Sequence, residues 1–238
     1  MALSQHTTPS ASASASASAV DFYFDPMCPW AHQTSLWVRN VRALNGITIN
    51  WKFFSLEETN RVEGKKHPWE REISFGWTPM RIGAWLRRID MDLCDKWYEA
   101  IGNALHIEGI RPYEEVTARQ LLAAIGAPPS AWEDALADRT THDDVRADHE
   151  FAVNELGGFG VPILKFATGR AVFGPVVVPA PEGDQALELW NMTITYAHFP
   201  GLYEIKTPKT QADLAHIGNV FNPYLRAREW KTVQNPAL

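Results

Sequence analysis

One stretch of the chain decides the fold, residues 22–31: Phe22-Tyr23-Phe24-Asp25-Pro26-Met27-Cys28-Pro29-Trp30-Ala31. It predicts an apolar strand that passes through a proline-containing turn into a helix, with Cys28 where the helix begins. Helix N-termini leave backbone N–H groups unpaired and carry partial positive charge, so a thiolate placed there is stabilised and its pKa is lowered. The sequence therefore predicts that Cys28 is a nucleophile near neutral pH.

A second cysteine is missing where a dithiol redox site would have it. In a C-x-x-C site that cysteine would stand at position 31, and this chain has Ala31 there. The other cysteine, Cys94, lies in a predicted helix, where a free cysteine usually packs as a small hydrophobe. We therefore expect an attacking thiol at Cys28 without a resolving partner, and regard an inert, buried Cys28 as the weaker alternative.

Composition excludes several classes of protein. The 238 residues, 45% of them hydrophobic, suit one domain with an insertion or two small domains, and a net charge of −6 argues against non-specific nucleic-acid binding. No run approaches the ~20 apolar residues of a membrane span. Two cysteines do not make a secreted disulfide framework or match zinc-site spacing, and the start lacks the features of a secretory signal. We expect a cytoplasmic protein without a metal and without a membrane or nucleic-acid partner.

The chain divides into four parts by pattern. Residues 1–19 include an Ala-Ser repeat and are predicted to be a disordered tail. The pattern predicts β-α-β over residues 20–67, and a β-hairpin followed by a helix over residues 157–206. Between them, residues 68–156 are predicted to contain only helices. Residues 207–238 are polar and predicted to be a surface extension with a short helical piece.

The order β-α-β, helical insertion, β-β-α indicates an α/β thioredoxin fold with helices inserted before the last hairpin. On that order and its motifs the chain resembles the DsbA-like thioredoxin-fold oxidoreductases, and within them the actinobacterial mycothiol-dependent nitroreductase branch. The resemblance covers about Val20 to Lys206. Its motifs are residues 24–30, Gly160-Val161-Pro162, Phe173-Gly174-Pro175 and the helix around Leu189-Trp190.

The resemblance implies a thiol-handling site. It makes Cys28 the nucleophile, Trp30 an aromatic wall beside the sulfur, and Val161-Pro162 a cis-proline turn that faces it and offers backbone to a bound thiol. The cofactor implied is a low-molecular-weight thiol, mycothiol or glutathione. The implied partners are that thiol and an electrophilic small molecule, and a homodimer is left open.

The neighbours of Cys28 are further candidates. Pro29 and Ala31 complete the turn that would bind the thiol. Asp25 has two interpretations, a carboxylate that stabilises the turn before Pro26 or a proton acceptor near the sulfur. His32 is predicted to lie on the helix surface rather than to act as a base.

Three functions fit a lone activated thiol. The first is a thiol-dependent oxidoreductase in which Cys28 forms a mixed disulfide with the cofactor thiol, which reduces nitro or other electrophilic substrates. The second is a kappa-class-like S-transferase or isomerase, in which Cys28 only helps to bind the thiol. The third is a non-catalytic binding module that uses the cis-proline edge for strand addition. Resolution of a Cys28 disulfide by Cys94 is the less favoured chemistry.

Overall fold

The structure is a computed structural model that describes residues 19–71 and 74–228. Of the tail predicted at residues 1–19, only Ala19 is described, and it begins the first strand. The rest of that prediction, and the last part of the predicted C-terminal extension, lie outside the described residues.

The described residues form a four-stranded sheet surrounded by helices. The strands are β1 (Ala19–Phe24), β2 (Thr48–Phe53), β3 (Ile163–Phe166) and β4 (Ala171–Phe173). The helices are α1 (Pro29–Asn45), α2 (Leu56–Thr59), α3 (Trp77–Ile89), α4 (Met91–Gly102), α5 (Glu115–Ala124), α6 (Ala131–Ala137), α7 (Thr141–Asn154), α8 (Gly183–His198) and α9 (Gln211–Ala227). A 3₁₀ turn covers Pro68–Glu70, and a π-helical turn, Asn103–Glu108, follows α4.

The strand order is β2-β1-β3-β4, which is the predicted thioredoxin fold. Strand β1 is parallel to β2, with Phe22 opposite Trp51, and antiparallel to β3, with Tyr23 opposite Ile163. The buried side chains of these strands are mostly aromatic or aliphatic, which explains why such short segments form strands. Because β1 is a central strand, the turn that follows it leaves the sheet between β2 and β3.

The helical insertion agrees with the sequence pattern. Between β2 and β3, the described residues contain helices α2 to α7 and no strand. Helix α7 packs on β2, and α1 packs against α8. The division into domains at residues 67 and 157 stays a prediction. Within the described residues, no helix combines the length and apolar character needed to span a membrane.

The C-terminal part contains more helix than expected. The pattern predicted a last helix over residues 182–197, now α8, and only a short helical piece near Leu225. Instead α9 has 17 residues and a capping box made by Thr210 and Asp213. Its apolar positions, including Phe221 and Tyr224, repeat at helical spacing, but Pro223 inside the helix obscured that pattern, since proline usually ends a helix.

A buried ion pair joins α1 to the helical insertion. Arg39 donates from Nε to Asp95 Oδ1 at 2.9 Å and from Nη1 to Ser35 Oγ at 2.8 Å. Its guanidinium carbon also lies 4.4 Å from the ring centroid of Trp51, so one side chain connects α1, α4 and the sheet. Arg42 contacts the other oxygen of Asp95 from a more exposed position.

We expect Arg39→Lys to lower the free energy of unfolding by about 3 kcal/mol, because lysine keeps the charge but loses the planar fork and the ring contact. Denaturant titration measures this. Arg42→Lys is the matched control and should cost under about 1 kcal/mol, since Arg42 is more than a third exposed. Equal costs for the two variants would contradict the assignment of Arg39 as the buried connection.

Candidate active site

Cys28 lies at the N-terminus of α1, as predicted. It is the N-cap residue, with Pro29 as the first helical residue, and its Sγ accepts the Ala31 N–H at 3.4 Å. Its own N–H donates to the Asp25 carbonyl at 3.0 Å, which closes the turn out of β1. The helix ends at Gly46, whose φ of 73° is the left-handed conformation that glycine commonly adopts at a helix C-terminus.

The Val161–Pro162 peptide bond is cis and faces the sulfur. The Cys28 thiol donates to the Val161 carbonyl at 3.6 Å. The register of the sheet explains this contact: Ile163, which begins β3, lies opposite Tyr23, so the residues just before β3 lie beside those just after β1. The pairing of β3 with β1 therefore brings together Cys28 and Val161, which are 133 residues apart in the sequence.

Burial, rather than the helix terminus, dominates the pKa of Cys28. The residue is only 6% exposed. Burial raises the pKa of the thiol to about 11, and the hydrogen bond from the Ala31 N–H lowers it by less. The sequence predicted a lowered pKa, and the structure has the opposite shift because desolvation of the thiolate exceeds the stabilisation by the helix N-terminus.

Asp25 is fully buried in the turn and accepts two backbone hydrogen bonds. The Met27 N–H donates to Oδ1 at 2.8 Å, and the Leu56 N–H donates to Oδ2 at 2.7 Å. Burial raises the pKa of Asp25 to about 7 against the effect of these two bonds. Gly76 lies so close that a Cβ there would be 2.9 Å from Oδ1. Asp25 therefore holds the turn together and also titrates near neutral pH.

The other predicted residues flank the sulfur differently. Ala31 is completely buried, whereas Trp30 is partly exposed. The Trp30 ring meets Phe221 of α9 edge to face, with ring centroids 4.7 Å apart. Lys209, in the segment before α9, lies 5.9 Å from the Trp30 ring centroid. Trp30 thus stands between the cysteine turn and the C-terminal helix, a contact that no sequence pattern indicated.

His32 is buried, which corrects the prediction of a surface histidine. It is 1% exposed, and its ring stacks on His106 with centroids 4.8 Å apart. Burial lowers the pKa of His32 to about 2 and that of His106 to about 4, so both are neutral. His106 Nε2 donates to the Pro26 carbonyl at 2.9 Å, so the π-helical turn holds the cysteine turn in place. Sequence reasoning missed His106 because it is distant from Cys28 in the chain.

Cys94, Trp51 and Trp77 belong to the hydrophobic core. Cys94 is free and fully buried, and burial raises the pKa of its thiol to about 12. Trp51 and Trp77 are also buried. A surface cavity of about 670 Å³ lies along α8, and Cys28 is not among its lining residues. Among the described residues, no cluster of three or more His, Cys, Asp or Glu is placed to hold a metal ion.

We expect the thiol of Cys28 to titrate well above the free-cysteine value of about 8.5, because the thiolate would be buried. Thiolate absorbance against pH in a Cys94→Ala background measures it. Alkylation by iodoacetamide should accordingly be slow at pH 7. A midpoint below 8 would contradict the burial argument.

His106 should make folding sensitive to acid. Its pKa is about 4 in the folded protein and about 6.5 when unfolded, so the unfolded chain binds the proton first and stability is lost as pH falls from 6.5 to 4. This loss of unfolding free energy is at most about 3 kcal/mol. Asp25 acts oppositely, since its raised pKa favours the folded state below pH 7.

The measured quantity is therefore the difference in unfolding free energy between wild type and His106→Gln at each pH. Glutamine keeps a donor for the Pro26 carbonyl and does not titrate. As pH falls from 6.5 to 4, the variant should lose less unfolding free energy than the wild type. The same exchange at exposed His216 controls for the change of side chain. A pH-independent difference would contradict a neutral, buried His106.

The sequence is similar to known proteins over most of its length. A family model described as "Rv2466c-like: Mycothiol-dependent nitroreductase Rv2466c" matches residues 27–207. The uncharacterized protein Rv2286c of Mycobacterium tuberculosis is 53% identical over 214 residues, which cover 90% of this chain and 92% of the relative.

Solved structures show the same fold at low identity. The cytosolic disulfide reductase DsbM from Pseudomonas aeruginosa is 18% identical with a TM-score of 0.53, covering 74% of this chain and 98% of that one. A 2-hydroxychromene-2-carboxylate isomerase is 18% identical with a TM-score of 0.55, covering 74% of this chain and 94% of that one. With its DsbA-like thioredoxin fold, the chain belongs to the Rv2466c-like family of mycothiol-dependent nitroreductases.

Proposed function

We propose that this protein is a thiol-dependent oxidoreductase with one redox-active cysteine, Cys28. Cys28 forms a mixed disulfide with a low-molecular-weight thiol, mycothiol or glutathione, and the electrons reduce a nitro or other electrophilic substrate. The observation that carries the proposal is the Cys28 sulfur at the N-terminus of α1, 3.6 Å from the carbonyl before cis-Pro162, with Ala31 at the resolving position. The family supports mycothiol as the first cofactor to test.

The residues around the sulfur fit a bound thiol. The Val161 carbonyl, which accepts the Cys28 S–H, lies before β3 begins and so outside the sheet ladder. A second thiol that approaches the sulfur meets this carbonyl and the Ala31 N–H, an acceptor and a donor. Pro29 and Trp30 form the outer side of the same turn. This arrangement suits sulfur chemistry and offers no ligand set for a metal.

The reaction balances with two cofactor thiols. Cys28 and one cofactor thiol together give up two electrons and two protons as the S–S bond forms between them. A nitro group that takes up these electrons and protons becomes a nitroso group and releases water. A second cofactor thiol, attacking as the thiolate, cleaves the mixed disulfide at the cofactor sulfur, and Cys28 leaves and recovers its proton. Ala31 makes the second external thiol necessary.

Asp25 is the proposed proton acceptor for Cys28. Its carboxylate accepts the N–H of Met27, the residue directly before Cys28, so it belongs to the same turn as the sulfur. A pKa of about 7 allows Asp25 to take a proton and return it at neutral pH. We place this chemistry in the cytoplasm, where low-molecular-weight thiols are kept reduced.

One observation favours a second candidate, an S-transferase or isomerase without a disulfide intermediate. In the described state the Cys28 thiol is protonated and donates to the Val161 carbonyl, so it is placed to position a cofactor thiolate by hydrogen bonding. The isomerase structure of the same fold makes this chemistry worth testing. A non-catalytic binding module would show neither turnover nor an adduct.

The test compares Cys28→Ser with Cys94→Ala during reduction of a nitroaromatic compound by mycothiol. We expect Cys28→Ser to fall to the uncatalysed rate and Cys94→Ala to keep wild-type turnover, since Cys94 is a core residue. Mass spectrometry during turnover should find one cofactor adduct, on Cys28. Turnover without an adduct would favour the transferase or isomerase, and unchanged turnover in Cys28→Ser would exclude both catalytic roles for this sulfur.

A further inference from the structure

Helix α9 packs on both sides of the cysteine turn. Met27, directly before Cys28, packs against the cluster that Leu105 of the π-helical turn forms with Tyr224 and Ala227 of α9. Trp30, two residues after Cys28, contacts Phe221 of α9. Cys28, which lies between Met27 and Trp30 in the chain, is 6% exposed.

The segment that carries α9 is suited to movement. From Phe199 to Thr210 the chain has no helix or strand and is exposed, apart from Leu202. Helix α9 buries one face only, through Phe221, Tyr224 and Ala227. Its capping box, in which Thr210 and Asp213 exchange hydrogen bonds, is exposed and lies where this segment joins α9. Contacts of one helical face therefore hold α9 against the site.

The docking face of α9 is closely fitted to the π-helical turn. A Cβ at Gly109, which ends that turn, would lie 3.1 Å from the Pro223 carbonyl. Tyr224 packs on His106 with ring centroids 5.1 Å apart, and Arg111 Nε donates to the Ala227 carbonyl at 3.0 Å. The close fit makes the docked position specific. It also packs α9 against His106, which donates a hydrogen bond to the Pro26 carbonyl.

We propose that Phe221 and Tyr224 of α9 control the access of thiols and electrophiles to Cys28, which reacts when α9 leaves the cysteine turn. Because this control concerns the access of substrates, it rests on the proposed function. The family model ends at residue 207, before α9 begins at Gln211, so this control is a feature of the chain beyond the family match. Burial of the Cys28 thiolate, which raises its pKa, is relieved on opening, so exposure and activation of the sulfur occur together.

The test measures the alkylation rate of Cys28 in a Cys94→Ala background, with iodoacetamide and the larger N-ethylmaleimide. Phe221→Ala removes the contact with Trp30 and should raise both rates by about tenfold or more, with a greater gain for the larger reagent. It should also lower the thiol pKa below the wild-type value. Leu225→Ala, on the exposed side of α9, is the matched control and should alkylate at the wild-type rate.

A second variant keeps the proposal testable if Phe221→Ala does not fold. Asp213→Ala removes the capping box without touching Cys28 or Trp30. An undocked helix of this length is marginal in water, so loss of the cap weakens docking and should raise alkylation about threefold to fivefold. Amide hydrogen exchange of α9 in the same samples reports whether the helix has undocked.

Three results would overturn the proposal. The first is wild-type Cys28 reacting as fast as an exposed cysteine of equal pKa. The second is unchanged alkylation in the variants while the α9 amides exchange faster. The third is unchanged exchange, which would mean that neither Phe221 nor the cap holds α9 in place. Alkylation needs neither cofactor nor electrophile, so these outcomes are independent of turnover, and a failure of the proposed function would leave the alkylation pattern intact.

Discussion

The rest of the site depends on the buried carboxylate of Asp25. It accepts the Met27 N–H of the cysteine turn and the Leu56 N–H just beyond β2, so it joins the ends of two parallel strands. The turn it holds places Cys28 at the start of α1, and Gly76 at the start of the helical insertion leaves room for its oxygens. Burial raises the pKa of Asp25 to about 7, so the carboxylate that holds the turn also titrates near neutral pH.

Two effects oppose each other at the sulfur of Cys28. The helix N-terminus supplies the Ala31 N–H, which stabilises a thiolate, and burial destabilises that thiolate by more. The described state is therefore one in which the thiol is protonated and donates to the Val161 carbonyl. Helix α9, His106 and the cysteine turn contact one another, so access to the sulfur and its acidity share a structural cause.

Local patterns predicted most of the fold. The predicted β-hairpin is present as β3 and β4, because two short apolar runs separated by a glycine-containing turn favour this structure. The cis bond at Val161–Pro162 required the family resemblance as well as the sequence. Helix α9 was underestimated because Pro223 interrupts its pattern, and its stability comes from tertiary packing of Phe221 and Tyr224.

The sequence by itself determined that one cysteine stands at a strand-to-helix junction, that position 31 cannot resolve a disulfide, and that the chain has the thioredoxin order of elements. These are properties of neighbouring residues and of periodicity, which the chain carries without folding. Only the tertiary structure decided that Cys28 is buried with a raised pKa, that His32 stacks on His106, and that α9 covers Trp30. Desolvation depends on atoms from distant parts of the chain, and no local pattern specifies which of them will meet.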